Sequence, residues 1–508
     1  MTDSNIPTPT LLAACVAVGL LGSFHFGYHF AFSNGASAPL RRFLNDTMAE
    51  MSSNGSSRPS EHAIEEFYTI YMALQMSGGV FGGTIGMKIA NSYGRRPALQ
   101  MASVGVILSL MPALLSPVAS SFTLLCVSKF LIGVCAMAGA SLAAVFITEV
   151  SPQRWRGACN MLSGITMRLG YVLAQPLAVP ALLGTDQLWV YIVVIEFCIA
   201  LLAMLLVSAL CKETPDFLLS KHQRDQAENV IRFYHGKDTS KVDIVSVVRE
   251  IEKELDMQRQ GVSLWQAVRS KSLNKSLLHG FMMGLANSLS GIDVLLQMST
   301  LVLVRVGFSA HQSSNLSVAI VAAFFVSSAV SMCTVEKFSR RFLLITSCLV
   351  FFATNLASML IMFAQQAGIE TVWLGYTYLV VCFVCAVGFT FGIGPLAFFV
   401  PTELTPVHGR AAAQALATTT LCFMSVIITA SFIFCFNHMG PSVFLAFIIP
   451  NLGLAVYFYV FVPETRNRPI SEIVKEVQER WPDANTKRRK YVGEKTWPES
   501  DPMVTDKM

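Results

Sequence analysis

Charged side chains are scarce in this chain. Asp, Glu, Lys and Arg make up 14% of its 508 residues, whereas a soluble domain carries about a quarter. With 53% of residues hydrophobic, water is not the main solvent for which the surface is built. Also missing are a glycine-rich loop to cradle phosphate, a metal-ligand cluster and a nucleophile with a placed base. These absences argue against an enzyme, and neither metal nor cofactor is expected. The twelve cysteines are scattered, mostly inside apolar runs. Cys382 and Cys385 have the CxxC spacing but no second pair or histidine cluster beside them, which reads as small apolar filler. No basic leader or small-residue cleavage site accompanies the first apolar run, so it is expected to stay as a helix.

What is present is a series of long apolar stretches. A bilayer-spanning helix needs about 20 mainly apolar residues. About twelve stretches qualify: 11–33, 66–90, 97–118, 122–146, 158–182, 188–211, 276–304, 315–335, 342–365, 374–401, 412–435 and 442–462. They predict an all-α membrane protein with the lipid bilayer as its surroundings. The formal net charge of +5 does not imply a nucleic-acid partner, because the basic residues are unevenly placed. Lys88, Arg95, Arg96, Arg154, Arg156, Lys337, Arg340, Arg341 and Arg410 lie in or beside short loops that alternate onto one side. The basic connection 212–275 and the tail after 463 fall there too. Cytosolic loops carry this excess, so both termini are expected in the cytoplasm. Segment 34–65 would then face outward, and it holds two N-glycosylation tripeptides, at Asn45 and Asn54. A third, at Asn315, lies too near a membrane end to be a good acceptor.

The strongest organisational signal is an internal repeat. Asn91-Ser-Tyr-Gly94-Arg95-Arg96 follows the second stretch, and Glu336-Lys-Phe-Ser339-Arg340-Arg341 follows the eighth, 245 residues on (96 to 341). Thr148-Glu149-Val-Ser-Pro152 with Arg156-Gly157 follows the fourth. Thr402-Glu403-Leu-Thr-Pro406 with Gly409-Arg410 follows the tenth, 254 on (149 to 403). Glu213-Thr214 follows the sixth, and Glu464-Thr465 the twelfth, 251 on (213 to 464). Three motif pairs at nearly one spacing define a duplicated six-helix unit. An even number of spans gives both copies the same orientation, and the substrate site is expected between them. Arg95, Arg96, Glu149, Arg156 and Glu213, with Arg340, Arg341, Glu403, Arg410 and Glu464, are expected to form a latch that pairs when the cytosolic side closes. Orientation alone would explain the arginines but not the repeated glutamates.

These motifs, with Glu213-Thr-Pro-x-Phe-Leu-Leu219, Gly22-Ser-x-x-Phe26-Gly27-Tyr28, Leu289-Ser290-Gly291-Ile292 and Gly392-x-Gly394-Pro395, resemble the sugar-porter branch of the major facilitator superfamily. The nearest likeness is to the animal facilitative glucose transporters, over about residues 11 to 470. The resemblance implies a major facilitator fold, twelve transmembrane helices in two six-helix bundles that rock in alternating access. The expected parts are a cytosolic N-terminus (1–10), an N-terminal bundle (11–211), a cytosolic helical linker (212–275), a C-terminal bundle (276–462) and a cytosolic tail (463–508). The linker's own pattern agrees, because Ile244, Val247, Val248, Ile251 and Leu255 recur at helical spacing beside charged residues. A plasma-membrane location and a self-sufficient monomer are expected.

At the positions that carry sugar in this family the sequence departs from the pattern. Asn287, Ser288 and Asp293 stand where the resemblance expects two glutamines and an asparagine in helix 7. The helix 5 glutamine corresponds to Gly164 and the helix 8 asparagine to Phe324. The helix 10 glutamate corresponds to Thr390 and its tryptophan to Phe398, and the Asn-Trp of helix 11 to Leu421 and Cys422. A dry hydroxyl left unpaired costs about 1–3 kcal/mol, so altered specificity is expected. Two charges have appeared instead, Arg168 and Asp293. An ionisable group near the bilayer centre costs about 2.5–3.5 kcal/mol on insertion scales. They are expected to line the pathway, gripping a polar or charged solute or pairing as a gate. A structural ion pair, or Arg168 reaching along its stem to the membrane surface, is the alternative. Gln175 and Gln297 are placed to bond either solute or a neighbouring helix. His25 and His29 share a helical face and titrate near neutrality, but the carboxylate that proton-coupled sugar porters carry in helix 1 is missing, so facilitated diffusion is expected. The function these features imply is a carrier of a small polar solute, hexose-type by family. The alternative is a transporter-like receptor or sensor that has lost transport.

Overall fold

The computed structural model describes residues 7–51, 60–152, 155–236, 241–259, 264–270, 273–334, 337–369, 372–406, 409–466, 468 and 470–480. The chain there is helical, with no strand among the described residues. The first bundle begins with α1 (Pro9–Leu21) and α2 (Ser23–Gly35), which form one broken span. The short α3 (Ser37–Met51) follows, then α4 (Glu61–Tyr93), α5 (Arg95–Leu115), α6 (Phe122–Val150), α7 (Arg156–Leu177) and α8 (Trp189–Leu210). Four short helices make the connection: α9 (Pro215–Ser220), α10 (Arg224–His235), α11 (Lys241–Arg259) and α12 (Leu264–Arg269). In the second bundle α13 (Asn274–Ser288) and α14 (Ile292–Arg305) share a span, as do α17 (Val372–Phe391) and α18 (Ile393–Glu403). The others are α15 (Ala310–Thr334), α16 (Arg340–Gln366), α19 (Arg410–Met439) and α20 (Leu445–Phe461), and α21 (Ile470–Arg480) closes the described chain.

Nine stretches of described helix are long and apolar enough to cross a membrane, and one of these, Ala412–Phe461, contains both α19 and α20. Helices α4 and α7 are not among the nine, their apolar residues being diluted by glycine and polar side chains. With them the count is twelve spans, six in each bundle. Both ends of the described chain and the connecting helices lie on one face, here the terminal face. The hydroxyl of Thr8, just before α1, reaches the Tyr234 carbonyl in α10 at 2.5 Å.

The break in the seventh span shows how the sequence shapes the interior. Gly291 sits at φ +87°, which an L side chain adopts only with strain. Unwinding frees carbonyls that lipid cannot satisfy, and two asparagines take them up. Asn451 of α20 donates to Leu289 O at 2.6 Å, and Asn355 of α16 donates to Ser290 O at 3.1 Å. In the first bundle the glycines of α4 act through contact. A Cβ on Gly78 or Gly82 would lie 2.2 or 2.3 Å from a carbonyl of α6, so only glycine lets the two backbones touch.

The apolar core has an uneven plan. In the half of the molecule away from the terminal face, buried residues of the first bundle, such as Phe30, Tyr171 and Ala174, belong to one cluster with Val302, Phe324 and Ile428 of the second. The terminal-face half of the first bundle packs a separate core with α9, α10 and α11, through Leu142, Phe146, Leu218, Ile231 and Val248. No described residue of the second bundle belongs to it. The two bundles are thus welded over the far half and have distinct cores over the near half.

Candidate substrate pathway and its closures

Arg168 lies on α7 where that helix faces α15. Its Nη1 donates to Gly164 O at 3.0 Å, and its guanidinium lies 5.0 Å from the centre of the Phe324 ring. Its buried Nε has no partner. Asp293, in the first turn of α14, accepts a hydrogen bond from Ser425 of α19 at 2.5 Å. Arg168 and Asp293 do not form an ion pair in this structure; Tyr171 is within electrostatic reach of both. Gln175 is fully buried and neither of its amide atoms has a partner, and Asn287 Nδ2 is likewise buried and alone.

The remaining pathway candidates bond to protein. Ser288 donates to Leu421 O at 2.9 Å and lies 3.2 Å from the Ser425 hydroxyl, tying α13 to α19. Gln297 donates to the Thr429 hydroxyl at 2.9 Å. Thr390 donates to Ser327 at 3.1 Å and its carbonyl receives Ser331 at 2.6 Å, joining α17 to α15. The side chain of Phe398 lies outside the described residues, as do all of Asn54 and Arg154. Asn45 stands half-buried on α3.

Sequence reading missed a charged set inside the first bundle. Glu196 of α8 is fully buried; His29 Nδ1 lies 3.0 Å and His25 Nδ1 3.4 Å from its carboxylate. Lys129 of α6, 1% exposed, donates to His29 O at 3.0 Å and Ser33 Oγ at 2.5 Å. His29 therefore bridges an acid and a base supplied by two other helices. The available signal was one acid and one base, each alone in an apolar stretch.

At the terminal face the repeated motifs come together within each bundle. Arg95 chelates Glu149 at 2.7–3.1 Å. Glu213 accepts the backbone N–H groups of Arg95 and Arg96 at the start of α5, at 2.8 and 3.3 Å. Thr214 donates to Glu149 at 2.6 Å, and Arg96 donates to Ser208 O at 2.9 Å. The second bundle repeats this. Glu464 accepts the N–H groups of Arg340 and Arg341 at 2.9 and 3.3 Å and the hydroxyl of Ser339. Thr465 donates to Glu403 at 2.5 Å, and Arg341 donates to Tyr459 O. A carboxylate at a helix N-terminus is favoured by the unpaired N–H groups there. Burial works against the Glu464 carboxylate, but the bonds from Ser339 and the N–H groups of Arg466, Arg340 and Arg341 outweigh it and hold its pKa below the ordinary value. Arg156 opens α7, and Arg410 opens α19 with a bond to Thr405 O at 3.4 Å.

The far face carries direct ties between bundles, also unforeseen. Asn34 of α2 donates to Ser299 of α14 at 2.8 Å and accepts from Thr300 N at 3.4 Å. Arg305 of α14 meets Glu65 of α4 at 2.7 Å and donates to Asn437 at 2.9 Å, while Arg41 stands 3.6 Å from the same Glu65. No cluster of three or more His, Cys, Asp or Glu able to hold a metal ion occurs among the described residues.

Two welded bundles of six spans, with broken helices and unpartnered polar groups where they meet, define a membrane carrier of the major facilitator fold. The xylose transporter XylE from E. coli, in a partially occluded inward-open conformation, superposes with a TM-score of 0.71 at 20% identity, covering 90% of this chain and 99% of that one. Its inward-open conformation matches equally well, at 0.71. Residues 14–476 match the family described as sugar (and other) transporter, and the chain belongs to that family. Facilitated glucose transporter member 5 of solute carrier family 2 from Mus musculus is 26% identical over 475 residues, 91% of each chain. Member 4 from Homo sapiens is 27% identical over 471 residues, 92% of this chain and 90% of that one. The protein is a transporter and not an enzyme.

Proposed function

We propose that the protein carries a small sugar-like solute down its gradient by alternating access, with the terminal face toward the cytoplasm, in the plasma membrane. The observation that carries this reading is the pairing of a joined far half with a divided near half. Unpartnered Gln175 and Asn287, and the guanidinium of Arg168, lie within the spans of the two bundles. Buried polar groups are ordinarily bonded, so groups left bare there suit a passing solute. Gln175, Asn287, Arg168 and Asp293 are the contacts this reading assigns to the solute, with Phe398 added on the family resemblance alone. Ser288, Gln297 and Thr390 hold the helices that present them. Each terminal-face cluster, Arg95, Arg96, Glu149 and Glu213 or Arg340, Arg341, Glu403 and Glu464, gathers three helix ends so that its bundle moves as one block. Arg156 and Arg410 extend the two clusters, and together they bias the closing of the cytosolic side.

Asn45 and Asn54 would lie outside the cell and accept glycans, and one chain holding both bundles suffices for transport. Uptake of labelled D-glucose, D-fructose and D-glucuronate by cells lacking their own hexose carriers tests the reading, with surface expression followed in parallel. Saturable entry of any one is expected. No entry of any of them from well-expressed protein overturns it.

A further inference from the structure

Three departures from the family pattern, read separately in the sequence, meet at one point. Gly164 and Arg168 are one helical turn apart on α7, and the Arg168 head folds back over Gly164. A Cβ there would lie 3.0 Å from Nη1, so the guanidinium fills the space in which a side chain at 164 would begin. Phe324 presents its ring to the same guanidinium. Tyr171 and Phe389 continue the wall, 6.3 and 5.9 Å from Phe324. Aromatic faces hold a planar cation in place without neutralising it. Among the described residues no carboxylate lies within ion-pair distance of Arg168. A guanidinium has five N–H donors and no acceptor; the bond to Gly164 uses one, and Arg168 as a whole is half-buried.

Asp293 is in the opposite situation. Ser425 donates to it, and its place in the first turn of α14 sets it at the positive end of the helix, which favours negative charge. Its remaining lone pairs suit hydroxyl groups, as do the bare amides of Asn287 and Gln175. Arg168 has only a carbonyl and an aromatic face to answer its charge, whereas Asp293 has a hydroxyl donor and the positive end of α14.

We propose that the solute is a hydroxylated monocarboxylate, a sugar acid, whose carboxylate Arg168 receives while Asp293, Asn287 and Gln175 bond its hydroxyls. A planar carboxylate matches the guanidinium fork bidentately. A second carboxylate on the solute would meet Asp293, so dicarboxylates are rejected by repulsion. The proposal rests on the transport reading above and narrows its substrate.

The test uses the full-length protein in liposomes, with labelled D-glucuronate, D-gluconate and D-glucose as probes. Saturable uptake of at least one acid is expected, faster when the liposome interior is made positive, since an anion carries charge inward. Arg168→Gln is expected to lower the ratio of acid to glucose uptake about 10- to 100-fold, the loss typical of a charge-assisted hydrogen bond. Arg168→Lys is expected to recover part of the loss. Melting profiles establish that the variants are folded. If Arg168→Gln does not fold, the voltage dependence of wild-type uptake decides, and acid entry indifferent to an inside-positive potential overturns the proposal. So does an acid-to-glucose ratio unchanged by Arg168→Gln. Entry of D-glucose without either acid overturns the anion proposal and leaves the transport reading standing. Entry of none of the three by folded protein overturns both.

Discussion

Substitution of Glu65 acts most directly on the far-face closure. Its carboxylate holds Arg305 of the opposite bundle at 2.7 Å and Arg41 of its own at 3.6 Å, with the three side chains between 18% and 29% exposed. An open surface pair contributes under about 1 kcal/mol, whereas a hydrogen-bonded and largely shielded one contributes about 1.5–3 kcal/mol. Arg305→Gln removes the inter-bundle bond but leaves Arg41 to answer Glu65. A loss of that size lowers the ratio of closed to open far face about 10- to 100-fold. Glu65→Gln does more, because it leaves two arginines facing each other. At an effective dielectric near 20 and separations of roughly 5–8 Å their repulsion adds about 2–3 kcal/mol before salt screening. Glu65→Gln combined with Arg305→Gln removes the repulsion and is expected to fall between the wild type and Glu65→Gln alone. Thr69, 2% exposed, lines the small cavity behind the pair. Labelling of a Thr69→Cys reporter by a membrane-impermeant maleimide from the far side measures the open population. Equal labelling rates in all four backgrounds, or a faster rate for Arg305→Gln than for Glu65→Gln, would refute the reasoning.

Other perturbations probe the frame. Glu196→Gln and Lys129→Met should each destabilise the protein by about 3–5 kcal/mol, since each strands a buried charged or polar partner; the double variant should cost less than the two together, and simple additivity in detergent denaturation would show that the charges do not answer each other. Gly291→Ala is expected to cost about 1–2 kcal/mol in the left-handed region, and Asn451→Leu about 1–3 kcal/mol by leaving Leu289 O unpaired; unchanged melting of either would count against the account of the broken span. Glu464 has a folded pKa below its ordinary value, so its contribution is complete above the unfolded carboxylate range, near about 4.3, and is lost as pH falls through the folded value. The gap in melting temperature between wild type and Glu464→Gln should narrow on acidification, and a gap independent of pH would remove Glu464 from the terminal-face clamp.

The sequence carried the architecture because bilayer spans are long and apolar and because the duplicated motifs mark the same ends of both halves. Glu213 and Glu464 were legible as partners at fixed spacing; that they cap helix N-termini with backbone N–H bonds was not, since a motif shows which residues recur and not which atoms meet. The stretches 11–33, 276–304 and 374–401 read as unbroken because the chain stays apolar through Gly22, Leu289–Gly291 and Gly392, where the structure divides them. Asn355 and Asn451, which make the second of these breaks tolerable, are single polar residues far away in sequence. The far-face ties escaped notice for a related reason. Glu65, Arg41 and Arg305 lie at span ends, where charges are ordinary, and only their convergence gives them meaning. At the candidate site, positions inferred from resemblance divide by hydrogen bonding. Ser288, Gln297 and Thr390 are taken up by neighbouring helices, while Gln175, Asn287 and Arg168 keep free polar atoms.

The joined far half has a thermal consequence. Opening that face must part Phe30, Tyr171 and Ala174 from Val302, Phe324 and Ile428, and so wet apolar surface that the closed state keeps dry. Exposing such surface raises heat capacity. The conformational equilibrium should therefore trace a curve with temperature, and because apolar association weakens on cooling, chilling should shift the protein toward an open far face.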